Sequence, residues 1–401
     1  MTEAARPLDG VRVLDIATFV AAPFCAAVMA EFGAEVVKVE QPGVGDSLRA
    51  LGTPSEAGDT LWWLSDARNK KTVTLDLRKP KGADLFRRMV AEADVVCENF
   101  RPGTLEKWGL GFEALQEVNP GLVMLRVSAY GQTGPKRDLP GFARIAQAYC
   151  GLSYLTGRPD TPPLNPGSAT IADYLTGLYG AVGVLMALRH KERTGEGQYI
   201  DVGLYETMFR FLDEIAPVYH KTGHVRERIG ADTPNSVPHS HYPTADGKWV
   251  AIACTNDRMF ARFAQVMGEP ELAAEERFGR KPARLAARDE LNGRVAAWTS
   301  SLPQAEVLRR CTEGEVPCGP VNSIADIFAE EQFRVRENLV RLTDPRVGGL
   351  VVPGVVPKLS RTPGRIEHLG QARGAFNEAF YTGRLGLSAE ELEALQREGV
   401  I

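Results

Sequence analysis

An aspartate in the segment Gly167-Ser-Ala-Thr-Ile-Ala-Asp-Tyr-Leu-Thr-Gly-Leu-Tyr-Gly-Ala is the residue of this chain best placed for covalent chemistry. Apolar and small residues continue after Asp173 for about four helical turns, so the spacing predicts a largely buried helix over Ile171–Lys191 with Asp173 in its first turn. The unpaired N–H groups and partial positive charge at a helix start keep a carboxylate ionised. A carboxylate held there is either a helix-start charge or a nucleophile able to form an acyl intermediate. The pattern leaves both open.

Three further segments carry groups suited to phosphate. Glu40-Gln-Pro-Gly-Val-Gly-Asp46 follows an expected strand, where open α/β sheets bind ligands. Asn69-Lys70-Lys71 and Asn99-Phe100-Arg101-Pro-Gly place cations and turn N–H groups near strand ends. Neither G-x-G-x-x-G nor G-x-x-x-x-G-K-[ST] occurs, which argues against a classical dinucleotide or P-loop site. The six histidines show no metal spacing, and His239-Ser-His241 is their one close pair. The six cysteines include no C-x-x-C and read as small buried apolar residues. No metal site is expected.

Elements that would position these groups alternate along the first half. Strands are expected at Val11–Ile16, Val36–Glu40, Thr72–Leu77, Asp94–Glu98, Leu122–Val127 and Tyr199–Val202, and helices at Pro23–Phe32, Pro80–Ala93, Phe112–Val118 and Ile171–Lys191. That alternation predicts an α/β fold with a doubly wound, Rossmann-like large domain over 1–220. A Gly/Pro/His/Asn-rich stretch follows, then Tyr242-Pro-Thr-Ala-Asp-Gly-Lys-Trp-Val-Ala-Ile-Ala, a hairpin signal with Asp246-Gly247 as its turn. A smaller α+β domain is expected over 221–325, with helices at Met259–Met267, Leu285–Ser301 and Gln304–Glu313. The segment 326–401 holds an apolar Gly/Pro-rich stretch, Gly348–Pro357, and helices at Gly370–Tyr381 and Ser388–Glu398, the latter opened by a Ser388/Glu391 capping box.

With 401 residues, 44% apolar residues and a net charge of −4, the chain is expected to be globular, without the basic field that nucleic acid requires. The N-terminus lacks a charged and then apolar leader, and no run reaches the roughly 18 uninterrupted apolar residues of a membrane span, so a cytoplasmic location and no membrane partner are expected.

Taken together, Pro7–Asp15, Gly33-Ala-Glu-Val-Val-Lys-Val-Glu-Gln-Pro-Gly-Val-Gly-Asp46, Asn69-Lys-Lys, Glu98-Asn-Phe-Arg-Pro-Gly103, Gly167–Gly177, Thr194-Gly-Glu-Gly-Gln198 and Val316-Pro-Cys-Gly-Pro-Val321 resemble the family III CoA transferases, the group of formyl-CoA and carnitine CoA transferases. The resemblance implies an enzyme that exchanges CoA between an acyl-CoA donor and a free carboxylic acid through an aspartyl-CoA thioester on Asp173. It implies acyl-CoA as substrate with no permanently bound cofactor, and an interlocked homodimer whose large domain takes in both chain ends. It further implies CoA contacts at Val20, Gln41, Leu75, Arg78, Asn99, Phe100 and Lys107. Formyl-CoA transferase has Gln at the position of Val20 and Arg at those of Gln41 and Lys107.

The related α-methylacyl-CoA racemases pair this aspartate with a histidine, and Phe142 stands in that histidine's place, which favours transfer over racemisation or a non-catalytic CoA-binding role. The Pro238–Asp246 segment resembles dicarboxylate-using branches. Arg144, Arg226, Arg228, His239, His241 and Tyr242 are candidate donors to a second carboxylate, and succinyl-CoA is a candidate donor ester.

Overall fold

The computed structural model of the protein describes residues 5–401. Six short strands, β1 (Arg12–Asp15), β2 (Glu35–Glu40), β3 (Lys70–Thr74), β4 (Val95–Glu98), β5 (Val123–Ser128) and β6 (Tyr199–Gly203), pair in parallel in the order β3-β2-β1-β4-β5-β6. This is a doubly wound arrangement, reversing direction between β1 and β4. The central strands are buried on both sides, which is why they read as near-continuous apolar runs.

On one face, Val13, Val36, Val95 and Leu125 pack under the helices Ala21–Glu31 and Ile171–Thr194. On the other, Leu14, Val37, Val73 and Val96 pack under Phe86 and Met89 of the helix Pro80–Val90 and under the last part of the chain, through Phe380, Tyr381, Leu392 and Ile401.

β3 lies two residues before the expected Thr72–Leu77 and stops at Thr74. Leu75 and Leu77 are buried by side-chain packing on the second face, and the Asp76 N–H donates to the Val400 carbonyl (2.8 Å). The apolar run therefore reported pairing as far as Thr74, with the Leu75 N–H still donating to the Glu40 carbonyl (2.7 Å), and burial alone beyond it.

The chain divides into two compact units: one takes in residues up to Leu152, Asn165–Lys221 and Arg334–Ile401, the other Ser153–Leu164 and Thr222–Phe333. The second unit thus gains Ser153–Leu164 and runs past residue 325. Its antiparallel sheet has β7 (His239–Pro243), β8 (Trp249–Ala253) and β9 (Cys318–Pro320) in that order, with Gly247 at φ +74° in the β7–β8 turn. Phe260, Phe263, Leu291 and Val307 form its core. The expected helix Leu285–Ser301 is two helices, Lys281–Ala286 and Arg288–Ser300, joined at Ala287.

In the first unit, β10 (Leu339–Asp344) and β11 (Gly348–Pro353) make a hairpin that takes in the apolar Gly/Pro-rich stretch, to which the sequence reading assigned no strand. The expected helix Gly370–Tyr381 is helical only over Asn377–Tyr381. Before it the backbone bonds elsewhere: the Gly370 N–H donates to the Leu64 carbonyl (2.9 Å) and the Phe376 N–H to that of Thr72 (3.0 Å). The Ser388/Glu391 capping box forms ahead of Ala389–Arg397.

The helix Ile171–Thr194 is long and apolar enough to cross a membrane by length and composition. One side packs on the sheet, but Leu178, Val182, Leu185 and Met186 are exposed, so it is half-buried rather than largely buried.

Candidate active site

The sheet's reversal point is occupied by the loop that follows β1. Asn99, just after β4, donates through Nδ2 to the Thr18 carbonyl (2.7 Å) and accepts the Thr18 N–H through Oδ1 (2.9 Å). The Phe19 N–H donates to Asp46 Oδ1 (2.9 Å), and Lys38 Nζ donates to the Ala17 carbonyl. These bonds hold Phe19 at φ +64°, a left-handed conformation that is costly for a bulky side chain. A strained turn this heavily tied presents the start of the Ala21–Glu31 helix in one fixed position.

Beneath the loop lies a buried ion cluster. Asp15 is fully buried and pairs with Lys70 (2.8 Å) and Lys38 (3.5 Å), and Lys38 also pairs with Asp46 (2.7 Å). Desolvation acts to raise the Asp15 pKa, but the two lysines overcome it and hold its carboxyl below the usual range. Lys70 further donates to the Pro23 carbonyl (2.6 Å), while Lys71 pairs with Glu35 (2.7 Å) and Asn69 bonds the backbone at Arg365 and Glu367. The Asn69-Lys70-Lys71 segment is therefore structural rather than a phosphate site.

A cleft of about 180 Å³ opens at the carboxyl ends of β1, β2 and β3, lined by Thr18, Gln41, Leu75 and Arg78 and walled by Phe100 and Trp108. The two aromatic rings meet edge-on at 5.3 Å, and the Phe100 N–H is fixed by Glu98 Oε2 (2.7 Å). Burial pushes the Glu98 carboxyl up to about 7 despite its bond to Arg126. Arg78 is exposed and makes two 2.8 Å bonds to Asp76, whose pKa they lower.

Of the seven expected CoA contacts, Gln41, Leu75, Arg78 and Phe100 line this cleft. Lys107 is exposed beside Trp108. Asn99 touches the loop through Thr18, and Val20 is buried among Leu48, Trp63 and Leu64, its side chain outside the cleft lining. Trp108 escaped the sequence reading; an aromatic following a helix-end lysine carries no pattern of its own.

Asp173 is the third residue of its helix. One turn later Gly177 meets the first helix: a Cβ there would lie 2.4 Å from the Ala21 carbonyl oxygen and 2.9 Å from Phe24 Cβ. Residues four apart share a helix face, so this contact sets Asp173 at the start of the first helix, beside the strained loop. Tyr174 adds a second anchor: its ring meets Phe24 edge-on at 4.9 Å, and its hydroxyl donates to Asp66 (2.7 Å) and accepts from Trp62 Nε1 (2.9 Å).

Burial raises the Asp173 pKa, and a 2.6 Å hydrogen bond from the Thr170 hydroxyl acts against that rise. Among the described residues no cation pairs with it. A half-buried carboxylate without a counter-ion, at the joined starts of two helices, is a carboxylate available to react.

In the second unit the Tyr242 hydroxyl donates to Asn292 Oδ1 (2.7 Å), which removes it as a substrate donor. Arg228 donates to the Tyr154 carbonyl (2.8 Å), whereas His239 and His241 lie on β7. Arg144, in the first unit, is exposed. Five of the six cysteines are buried, all six are free thiols, and the described residues contain no metal-binding cluster.

A doubly wound sheet with a cleft at its carboxyl edge, and an unpaired carboxylate at the start of a helix packed on the same sheet, fit an α/β enzyme that handles a nucleotide-bearing ligand. A family model described as CoA-transferase family III matches residues 8–371. The β subunit of succinyl-CoA–L-malate CoA-transferase from Chloroflexus aurantiacus is 52% identical over 402 residues, covering 100% of this chain and 99% of the relative. Succinate–glutarate CoA-transferase from Agrobacterium fabrum is 37% identical, covering 90% of this chain and 91% of the relative. Among solved structures, a CAIB/BAIF family protein from Brucella suis superimposes with a TM-score of 0.84 at 33% identity, over 95% of this chain and 100% of that one. The chain belongs to CoA-transferase family III.

Proposed function

We propose that this enzyme moves CoA from succinyl-CoA to a short dicarboxylate, with Asp173 as the covalent carrier. The observation that carries the proposal is the Asp173 carboxylate itself, half-buried, hydrogen-bonded by a single hydroxyl and paired with no cation among the described residues. One carboxylate oxygen attacks the thioester carbonyl and expels CoA thiolate, giving a mixed anhydride. The thiolate then attacks the aspartyl carbon and expels succinate, leaving an aspartyl-CoA thioester. The acceptor carboxylate attacks that thioester, releasing the thiolate, which returns to the acceptor's acyl carbon and restores Asp173. Each step exchanges acyl derivatives of comparable reactivity, which divides one difficult transfer into easier ones.

Gln41, Leu75, Phe100 and Trp108 would receive the adenine and pantetheine, with Arg78 and Lys107 facing phosphates at the rim. Asn99 would serve through the Thr18 backbone it clamps, and Val20 by fixing the start of the first helix.

The dicarboxylate reading rests on relatives named for succinyl-CoA with L-malate and for succinate with glutarate. Arg144, Arg226, Arg228, His239 and His241 remain candidates for the second carboxylate. Phe142, 66% exposed and edge-on to Phe19 at 5.7 Å, offers no base for α-proton exchange. We also propose a cytoplasmic enzyme without a resident cofactor that forms a homodimer, the exposed apolar side of the Ile171–Thr194 helix being suited to a second copy.

A panel of acyl-CoA donors and acids tests the substrates. Hydroxylamine added to enzyme preincubated with succinyl-CoA tests the carrier: a hydroxamate at Asp173 by peptide mass spectrometry supports it, and an unmodified peptide from active enzyme refutes it.

A further inference from the structure

We infer that the Thr170 hydroxyl is the oxyanion donor for the aspartyl half of the reaction and, before that, the tether that decides which oxygen of Asp173 attacks; the inference rests on Asp173 being the covalent carrier. Thr170 and Asp173 stand at the N-cap and third positions of their helix. At that spacing an N-cap hydroxyl ordinarily accepts the third residue's N–H. Thr60 does so in this same protein, accepting from Trp63 N (3.1 Å) with extended backbone at ψ 155°.

Thr170 departs from that pattern. Its ψ is 65°, its side chain caps no backbone N–H, and its hydroxyl instead donates to Asp173 Oδ2 at 2.6 Å. The helix forgoes an ordinary cap, and the hydroxyl is aimed at the reactive carboxylate.

With Oδ2 held, Oδ1 is the free nucleophile. Its attack makes Oδ1 the bridging oxygen of the anhydride and leaves Oδ2 as the aspartyl carbonyl oxygen. When CoA thiolate adds to Cγ, the carbonyl electron pair moves onto Oδ2, against the Thr170 O–H. The pair returns as the Cγ–Oδ1 bond breaks, and succinate leaves carrying Oδ1. The acceptor carboxylate then attacks Cγ and supplies the replacement oxygen when the thioester opens. The hydroxyl proton stays on Thr170 throughout. Each turnover therefore renews one oxygen of Asp173 and retains the other.

Isotope labelling tests this directly. Enzyme cycled many times with succinyl-CoA and carboxyl-¹⁸O-labelled L-malate, or another labelled acceptor selected by the panel, is digested and the Asp173 peptide weighed. The wild type is expected to gain a single heavy oxygen. In Thr170→Val, where the carboxylate can rotate between turnovers, two are expected. Two heavy oxygens in the wild type overturn the tether while leaving the carrier intact, whereas none in an enzyme that turns over overturns the carrier reading itself.

Thr170→Val is also expected to lower kcat about 100-fold with little change in KM for succinyl-CoA, and to move the acid limb of kcat to higher pH. Thr170→Ser, which keeps the hydroxyl, is expected to recover most of the rate. A folded Thr170→Val enzyme with wild-type kcat and an unmoved acid limb removes Thr170 from the reaction.

Discussion

Asp15 and Asp173 lie on the same side of one sheet, and their surroundings act in opposite directions. Asp15 ends β1 between two buried lysines, and Lys38 extends the pairing to Asp46. Asp173 has one neutral hydroxyl and, among the described residues, no cation. The first carboxyl is held below its usual pKa by the lysines and the second is raised by desolvation. A paired, desolvated carboxylate has its lone pairs committed and contributes architecture, whereas an unpaired one retains a nucleophilic oxygen. The Asp15 cluster in turn fixes the loop and helix start against which Asp173 is set.

Asp173→Asn is expected to lose the reaction. Its transfer rate is expected to fall by at least about three orders of magnitude, measured as CoA exchange, with the urea midpoint little changed. Asp15→Asn should do the reverse damage, leaving buried lysines undercompensated and costing about 3–5 kcal/mol of stability by urea unfolding. An Asp15→Asn protein as stable as wild type removes the cluster's structural role.

Gly177→Ala tests the contact that joins the two regions. Its Cβ cannot be accommodated 2.4 Å from the Ala21 carbonyl oxygen without displacing a helix. A loss of about 1–3 kcal/mol is expected, with a fall in kcat larger than the change in KM.

Replacing Arg78 or Lys107 by Ala is expected to weaken the apparent affinity for the CoA ester by about 1.5 kcal/mol, at the low end for a charged contact because both side chains are exposed. Unchanged KM values for both would remove them from the phosphate site.

The pH dependence sharpens the contrast with the smallest effect. Because the Asp173 pKa is raised, the acid limb of kcat should lie above the ordinary aspartate value near 4, and activity should rise as pH increases through it. The lowered Asp15 pKa contributes stability that is fully present above its unfolded-state value and is lost as pH falls through the folded one. A kcat acid limb at or below the ordinary value contradicts the desolvated nucleophile.

The sheet was legible because doubly buried parallel strands show themselves as short β-branched runs, and the β7–β8 hairpin because Asp246-Gly247 specifies its turn. Where backbone bonding is supplied from far along the chain, local pattern failed. Gly370–Phe376 bonds Leu64 and Thr72 instead of forming a helical turn, and the β10–β11 hairpin pairs through a Gly/Pro-rich strand of weak local propensity.

The same limit governed the site. The helix start at Asp173 follows from the residues after it, but the fate of Lys70 depends on Asp15, 55 residues away. The direction of the Thr170 hydroxyl depends on a ψ angle that composition does not encode.

The covering of the sheet's second face by Phe380, Tyr381, Leu392 and Ile401 also sets an order of assembly during synthesis. All six strands exist once residue 203 has left the ribosome. At ordinary translation rates, about 5–20 residues per second, the residues from Phe380 to Ile401 follow roughly 9 to 40 s later. Through that interval the second face is covered only in part, by the helix Pro80–Val90 and the residues around Phe112 and Leu115, and the Leu and Val side chains under the missing segment stay exposed. Slowing translation over the codons for residues 204–401 should therefore lower soluble yield without altering the stability of the protein that does fold.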